Sequence, residues 1–113
     1  AYSVSRLLSA AATTNGTRVK AAAGKIGKIV GYNAAAAVRY LKLYNKATTP
    51  APGTATPEVT IALLPSKEFT IDWTDIGLTF ATGIGFGLTT GGADADTGAL
   101  TAGDILGLNL FYV

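Results

Sequence analysis

The sequence contains no cysteine, no histidine and no methionine, and these absences exclude several classes of protein. Without cysteine there is no disulfide framework of the kind that holds small secreted domains together. Without histidine and cysteine the chain also lacks the commonest general base, the thiol nucleophile and most transition-metal ligands. Its four serines do not lie in a nucleophile-elbow pattern. We therefore expect a protein that is not an enzyme and that binds no cofactor.

Charge is also scarce, at 14% of residues against 49% hydrophobic residues, which favours a surface covered in part by neighbouring subunits. Residues 1–46 carry eight bases and no acid, whereas residues 47–113 carry seven acids and one base. One interpretation is a protomer with opposite charges that meets its neighbours, and a second is a nucleic-acid surface. A third is that strands of both halves interleave and mix the charges. Because the bases never cluster, nucleic acid is the least favoured partner.

Long apolar runs are missing as well, since none approaches the roughly 18 residues of a membrane span. The first residues lack the basic and apolar regions of a signal peptide, so we expect synthesis in the cytoplasm and no membrane partner. A length of 113 residues predicts one domain with one modest core.

What the sequence does contain is a series of short alternating segments separated by turn residues, with no convincing helix. This pattern predicts an all-β antiparallel β-sandwich of about eight short strands. A jelly roll fits the strand number, and a Greek-key sandwich with fewer strands is the alternative. Residues 1–12 are interpreted as an N-terminal arm or a short first strand, and residues 13–113 as the single sandwich domain. Residues 3–10 also allow a helical turn.

The stretch 38–47 is the clearest strand, because apolar and charged residues alternate along it. Successive side chains of a strand point to opposite faces, so Leu41 and Leu43 share one face and Tyr40, Lys42 and Tyr44 share the other. A lone lysine is rarely buried. We therefore place the two leucines in the core and the row of Tyr40, Lys42 and Tyr44 on the outside.

A loop rich in threonine and proline, residues 48–57, follows this strand and is predicted to be extended and exposed. Together with the Tyr40, Lys42 and Tyr44 row, Pro50 and Pro52 are candidate protein-interface residues, because aromatic side chains often anchor interfaces. Two alternatives are stacking on sugars or bases, and an amphipathic face covered by the protein's own loop.

Glycine and bulge signals add three further expectations. Alternate glycines at 83, 85 and 87 indicate either a close backbone approach or a bare outer face. Gly27 is predicted to mark a β-bulge, because the apolar pattern changes phase around it. In the last strand, one row is predicted to contain Leu106, Leu108, Leu110 and Tyr112.

Acidic residues offer only weak candidates for chemistry. Asp94 and Asp96 lie one residue apart beside glycines, a spacing found in calcium loops, but the remaining ligands of that pattern are missing. A solvated turn is the favoured interpretation, and no metal is expected. Paired carboxylates would need a cleft and tuned pKa values. Four acids are the candidates for such pairs: Glu58, Glu68, Asp72 and Asp75.

Several strings of residues resemble small virion structural proteins of tailed bacteriophages. The likeness begins in residues 36–47, AAVRYLKLYNKA, and continues through the Thr/Pro loop to residues 56–61, TPEVTI. It extends to TGIGF at 82–86, TTG at 89–91 and DADT at 94–97. It ends with GDI at 103–105 and NLFY at 109–112. These strings are spread from residue 36 to residue 112, so the resemblance extends over most of the length of the chain.

The resemblance implies a β-sandwich that decorates or cements a capsid, or that lies elsewhere on the particle, and it brings no catalytic residues. We expect a non-enzymatic capsid decoration or cement protein on the virion surface. Its expected partners are the major capsid protein or other virion proteins, and further copies of itself in a homo-oligomer. The alternatives are a carbohydrate- or receptor-binding module of a tail or fibre, and another tail or connector component.

Overall fold

The computed structural model describes residues 1–113 and contains nine β-strands and no helix. The prediction of an all-β chain of antiparallel strands is confirmed, with nine strands instead of about eight. No helix of the chain is long and apolar enough to span a membrane. The strands are β1 Ser3–Ser9, β2 Thr17–Lys20, β3 Gly24–Asn33, β4 Arg39–Tyr44, β5 Val59–Leu63, β6 Lys67–Asp72, β7 Leu78–Phe80, β8 Ile84–Thr89 and β9 Ile105–Tyr112.

The strands form two antiparallel sheets. The first has the order β1-β9-β3-β6, with the short β7 also paired to β3, and the second has the order β2-β8-β4-β5. In both sheets, strands of the basic first half alternate with strands of the acidic second half. The interpretation that strands of both halves interleave is the one that this strand order shows, and a contact of opposite charges with neighbouring copies stays a prediction.

One apolar core lies between the sheets and draws on both of them. Leu41 and Leu43 of β4 are fully buried, as the alternating pattern predicts. Ile26 and Ile29 of β3 face them from the other sheet and are equally buried. Because burial of one such side chain contributes about 2 kcal/mol, this cluster is the main source of stability.

Residues 3–9, for which a strand, a helical turn and an arm were open, form strand β1. It pairs with β9 from Ser3 opposite Tyr112 to Ser9 opposite Leu106, without a shift in register. Ser5 and Leu7 face inward, opposite the buried Leu110 and Leu108. Strand β1 has no neighbour on its other side, so it forms one edge of the first sheet.

Two bulges change which residues of the first sheet face outward. The predicted bulge at Gly27 is confirmed, because the pairing of β3 with β9 shifts between Ile26 and Lys28. A second bulge at Gly107, whose φ is +60°, was not predicted. It turns Leu106 to the outside, where 39% of its surface is exposed, so the prediction that Leu106 shares a row with Leu108 and Leu110 is wrong.

A fully buried asparagine connects the two sheets near one end of the sandwich. The Asn33 amide donates to the backbone oxygens of Leu63, at 2.9 Å, and Ala37, at 3.2 Å, and its Oδ1 accepts from the Ala35 amide. Nearby, Arg39 Nε donates to Asp104 Oδ2 at 2.8 Å, and this carboxylate also accepts from the Thr101 amide. These polar contacts join the turn between β3 and β4 to the end of β5, and the start of β4 to the turn before β9.

Candidate interaction surfaces

The outer face of the second sheet carries the glycine row of β8. Gly85 lies opposite Tyr44 and Gly87 lies opposite Lys42. The rings of two prolines pack onto these glycines: a Cβ atom on Gly85 would lie 2.9 Å from Pro50, and one on Gly87 would lie 2.6 Å from Pro52 Cγ. Of the two interpretations of the glycine row, close backbone approach is therefore the one that the structure shows.

A second loop, residues 90–98, lies over the same face at Tyr40 and Lys42. Lys42 Nζ donates a hydrogen bond of 2.5 Å to the Ala93 carbonyl oxygen, and it makes no other hydrogen bond. The Tyr40 ring lies against Gly92, where an added Cβ would come within 2.9 Å of it. The aliphatic part of Lys42 is thus enclosed by the protein, while its ammonium group reaches the loop above.

The row of Tyr40, Lys42 and Tyr44 lies on the outer face of its sheet, as predicted, but the prediction that this face is exposed is wrong. Lys42 is fully buried, Tyr44 retains 1% exposure and Tyr40 is half-buried. The predicted exposure of the proline loop is also wrong at its centre, where Pro50 and Pro52 are buried. Because the chain's own loops cover this face, the alternative of a self-covered amphipathic sheet describes it. A protein interface at these residues stays a prediction, and it would require the loops to move.

The hydroxyl group of Tyr44 is buried without a hydrogen-bond partner. Burial raises the pKa of this phenol above its ordinary value, and the nearby charge of Asp94 raises it further. An unpartnered buried hydroxyl costs free energy, so this group opposes the stability that the tyrosine ring contributes.

Asp96 closes the 90–98 loop on itself. Its Oδ1 atom accepts hydrogen bonds from the amides of Gly98, at 2.8 Å, and Gly91, at 3.3 Å. Asp94 is exposed and is oriented by no hydrogen bond of this kind. The geometry of Asp96 is that of a turn-closing side chain, as favoured from the sequence, and no group of three or more acidic side chains gathers here to hold a metal ion.

Among the other acids, Asp72 and Asp75 line a depression of about 450 Å³ formed by residues 72–76. The pKa of the Asp72 carboxyl is lowered, chiefly because the Thr74 hydroxyl and amide donate hydrogen bonds to it, and Lys28 adds a smaller electrostatic effect. A general acid at neutral pH needs the opposite shift.

The outer face of the first sheet, in contrast, is not covered. The strand pairing brings the outward side chains of four strands to one side of this sheet, and we call that surface the open face. It contains Val4, Arg6 and Leu8 of β1, Leu106, Asn109 and Phe111 of β9, Lys28, Val30 and Tyr32 of β3, and Glu68, Thr70 and Asp72 of β6. Of the eight large apolar side chains that are exposed in the whole chain, four belong to it and Tyr2 lies beside them. Leu8, at 70%, is the most exposed of the four apolar side chains in the open face.

Tyr2 borders a shallow depression in the open face. The depression has a volume of about 360 Å³ and is lined by Tyr2, Lys28, Val30, Thr74 and Phe111. Its position is set by the bulge at Gly27, because a side chain there would occupy the space of the Tyr2 ring. Sequence alternation alone did not reveal this surface, since the two bulges decide which side chains of β3 and β9 point outward.

No protein-family model, no curated protein and no solved structure matches this chain. The likeness to phage virion proteins therefore stays a prediction made from the residues quoted above.

Proposed function

We propose that this chain is a non-enzymatic structural protein of a bacteriophage virion, and specifically a decoration or cement protein on the capsid surface. The proposal is supported by the resemblance of residues 36–61 and of several later segments to small phage virion proteins. It is also supported by the composition, which supplies no histidine and no cysteine for the commonest catalytic chemistries.

We further propose that the sandwich is a jelly roll, and its strand order is the observation that carries the functional proposal. In a jelly roll, eight strands form two four-stranded sheets by two Greek keys. With β7 set aside as an addition to β3, the remaining eight strands have the orders β1-β9-β3-β6 and β2-β8-β4-β5. In each sheet, two of the three neighbouring pairs are those that the folding of one long hairpin brings together: β1 with β9 and β3 with β6 in the first, and β2 with β8 and β4 with β5 in the second.

Jelly rolls are found in viral capsid proteins and in lectins, so the fold supports more than one function by analogy. The resemblance favours the capsid. The lectin alternative relied on an aromatic row and on a calcium loop, and it loses support because Tyr44 and Lys42 are buried and Asp96 closes its own turn. We therefore do not propose carbohydrate binding.

The proposed mechanism is stabilisation by many weak contacts. A protein that binds the assembled shell, and not free subunits, shifts the equilibrium toward the shell by mass action. When one molecule or oligomer bridges two shell subunits, the second contact forms at high effective concentration, so modest affinities add up. The proposed partners are the major capsid protein and other copies of this chain in a homo-oligomer.

The proposal is tested with particles assembled without this chain, to which the purified chain is added back. We expect the chain to bind and to raise the temperature at which the particles release their DNA. A small β-sandwich of similar charge serves as the control for unspecific binding. Particles that neither bind the chain nor change in stability would contradict a cement function.

A further inference from the structure

The open face differs from the other outer face of the sandwich in having no loop over it. The second sheet is covered over its central strands β4 and β8 by Pro50, Pro52 and the 90–98 loop. On the first sheet, Val4 is 48% exposed, Tyr32 40% and Leu106 39%, and no segment of the chain lies across them. A cluster of exposed apolar side chains on one face typically marks an interaction surface.

The apolar and charged residues of the open face have an ordered arrangement. The central strands β9 and β3 carry Leu106, Phe111, Val30 and Tyr32. Of the outer strands, β1 carries the basic Arg6, whereas β6 carries the acids Glu68 and Asp72. Lys28, on β3, lies directly opposite Asp72, and Lys25 lies at the far end beside β7. The face therefore has exposed apolar side chains on β1, β9 and β3, one base on β1 and two acids on β6.

We propose that the open face binds the same face of a second copy of this chain, related by a two-fold axis parallel to the strands. Such an axis places β1 of one copy over β6 of the other, and β9 over β3. The contact is self-complementary, as two-fold interfaces must be. Arg6 of each copy then lies over Thr70 of the other, with Glu68 and Asp72 two residues to either side of Thr70 on the same strand, while the apolar side chains of β9 and β3 pack at the centre.

Charge selects this arrangement over the obvious alternative. A two-fold axis perpendicular to the strands would place β1 over β1 and bring the two Arg6 side chains together. Like charges at an interface are unfavourable and suppress the wrong pairing. Arg6 forms no ion pair within its own chain, since the pair between Arg39 and Asp104 is the one salt bridge present. Arg6 is therefore free to pair with a second copy.

The size of the face predicts a reversible dimer. Four strands about 4.8 Å apart and about seven residues long, rising about 3.3 Å each, cover about 19 by 23 Å. Standard stable interfaces remove about 800 Å² of accessible surface from each partner. Because the open face is no larger than this, we expect a dimer that forms only at high protein concentration. On a particle, neighbouring copies would supply that concentration.

This inference rests on the homo-oligomer of the proposed function, but it is tested on the purified full chain in the absence of particles. Sedimentation over a range of concentrations is expected to show a monomer–dimer equilibrium, weakened by salt because charge pairs contribute. A chain that stays monomeric up to about 1 mM, or that forms trimers or larger rings, would overturn the proposal. Binding of monomer to a shell through this face would overturn it too, and would leave the capsid function intact.

Two sets of variants locate the contact. Leu8→Glu places a charge at a 70% exposed position of the open face, and we expect at least a tenfold weaker dimer. Leu64→Glu is its matched control, because Leu64 is 55% exposed and lies outside the open face, and it should leave the dimer unchanged. Equal effects of both variants would contradict the assignment. Circular dichroism spectra verify that both variants are folded.

Exchanging the charges of Arg6 and Glu68 tests the orientation of the two copies. Arg6→Glu alone is expected to weaken the dimer about tenfold, since it opposes acids with an acid. Combining it with Glu68→Arg is expected to restore the dimer. Within one chain these residues lie on strands β1 and β6, about 14 Å apart across the sheet, so the restoration cannot come from a pair inside the monomer. If the double variant dimerises no better than Arg6→Glu, the proposed orientation is wrong.

Discussion

Pro52 packs its ring against the backbone of Gly87, so closely that a Cβ atom on Gly87 would lie 2.6 Å from Pro52 Cγ. The residue opposite Gly87 on the neighbouring strand is Lys42, which is fully buried. A glycine on β8 and a proline in the 48–57 loop therefore act together to close one outer face of the sandwich. Three predictions concern this closure, and a fourth concerns the buried Asn33.

Replacing Gly87 with alanine is expected to destabilise the protein by about 1–3 kcal/mol, because the added methyl group overpacks the site under Pro52. The measurement is the free energy of unfolding in urea. In a Pro52→Ala background the obstructing ring atoms are gone, so Gly87→Ala should cost clearly less there. If the costs of the two substitutions simply add, the close contact does not exist in solution.

Lys42→Met tests the tether between β4 and the 90–98 loop. Methionine fills a similar volume and needs no hydrogen bond, so the free energy of unfolding should change by less than about 1 kcal/mol. Loss of the bond to the Ala93 carbonyl is expected to increase local opening of the loop, with exchange of the Asp96 amide about tenfold faster. The Val113 amide, bonded to Lys25 in the first sheet, is the internal control. Unchanged exchange at Asp96 would show that Lys42 does not hold the loop.

Tyr44→Phe removes the unpartnered buried hydroxyl and is expected to stabilise the protein by about 1 kcal/mol at neutral pH. The pKa of Tyr44 is raised above its ordinary value of 10.0 by burial and by Asp94, so the folded state holds its proton to higher pH than the unfolded state. The shift therefore leaves the stability of the folded state unreduced below pH 10, and this stability decreases as the pH rises from 10 through the folded-state pKa of Tyr44.

The dependence of the free energy of unfolding on pH is compared between the wild-type protein and Tyr44→Phe. Above about pH 10 the wild-type protein should lose stability more steeply than Tyr44→Phe, because only the wild type has this phenol to ionise on unfolding. Parallel curves for the two proteins would mean that Tyr44 is exposed, and with it the face that the two loops cover.

Asn33→Ala is expected to destabilise the protein by about 2–4 kcal/mol, since it leaves buried backbone groups at Leu63 and Ala35 without their partners. Asn109→Ala is the matched control. Asn109 is half-buried and bonds only the neighbouring Gly107 oxygen, so its loss should cost less than about 0.5 kcal/mol. Similar losses for the two variants would contradict the connecting role assigned to Asn33.

Alternation of apolar and polar residues was sufficient to predict an all-β chain and the inward face of β4. It placed Leu41 and Leu43 correctly because the period of a strand determines which side chains share a face. It also located the bulge at Gly27, where the pattern changes phase. These are local properties that a sequence pattern records directly.

Whether the outer face of β4 is buried or exposed depends on contacts between residues distant in sequence, which no local pattern records. Lys42 was placed outside because a lone lysine is rarely buried, yet two loops distant in sequence cover it. The glycine row of β8 was the signal for this cover, but it equally allowed a bare face. Combining it with the prolines of the preceding loop would have indicated the packing that the structure shows.

The segments that resemble phage virion proteins coincide largely with this covered face. They include β4, the proline loop, the glycine row and the turn closed by Asp96. The open face includes little of this predicted likeness beyond residues 109–112.

The most direct test of the proposed function is the number of copies of this chain on purified phage particles, measured by quantitative peptide mass spectrometry against the major shell protein. A capsid decoration or cement protein occupies repeated sites over the whole shell, so we expect a copy number comparable to that of the shell protein. A small number of copies would place the chain at a tail or vertex. Its absence from the particles would contradict the virion proposal altogether.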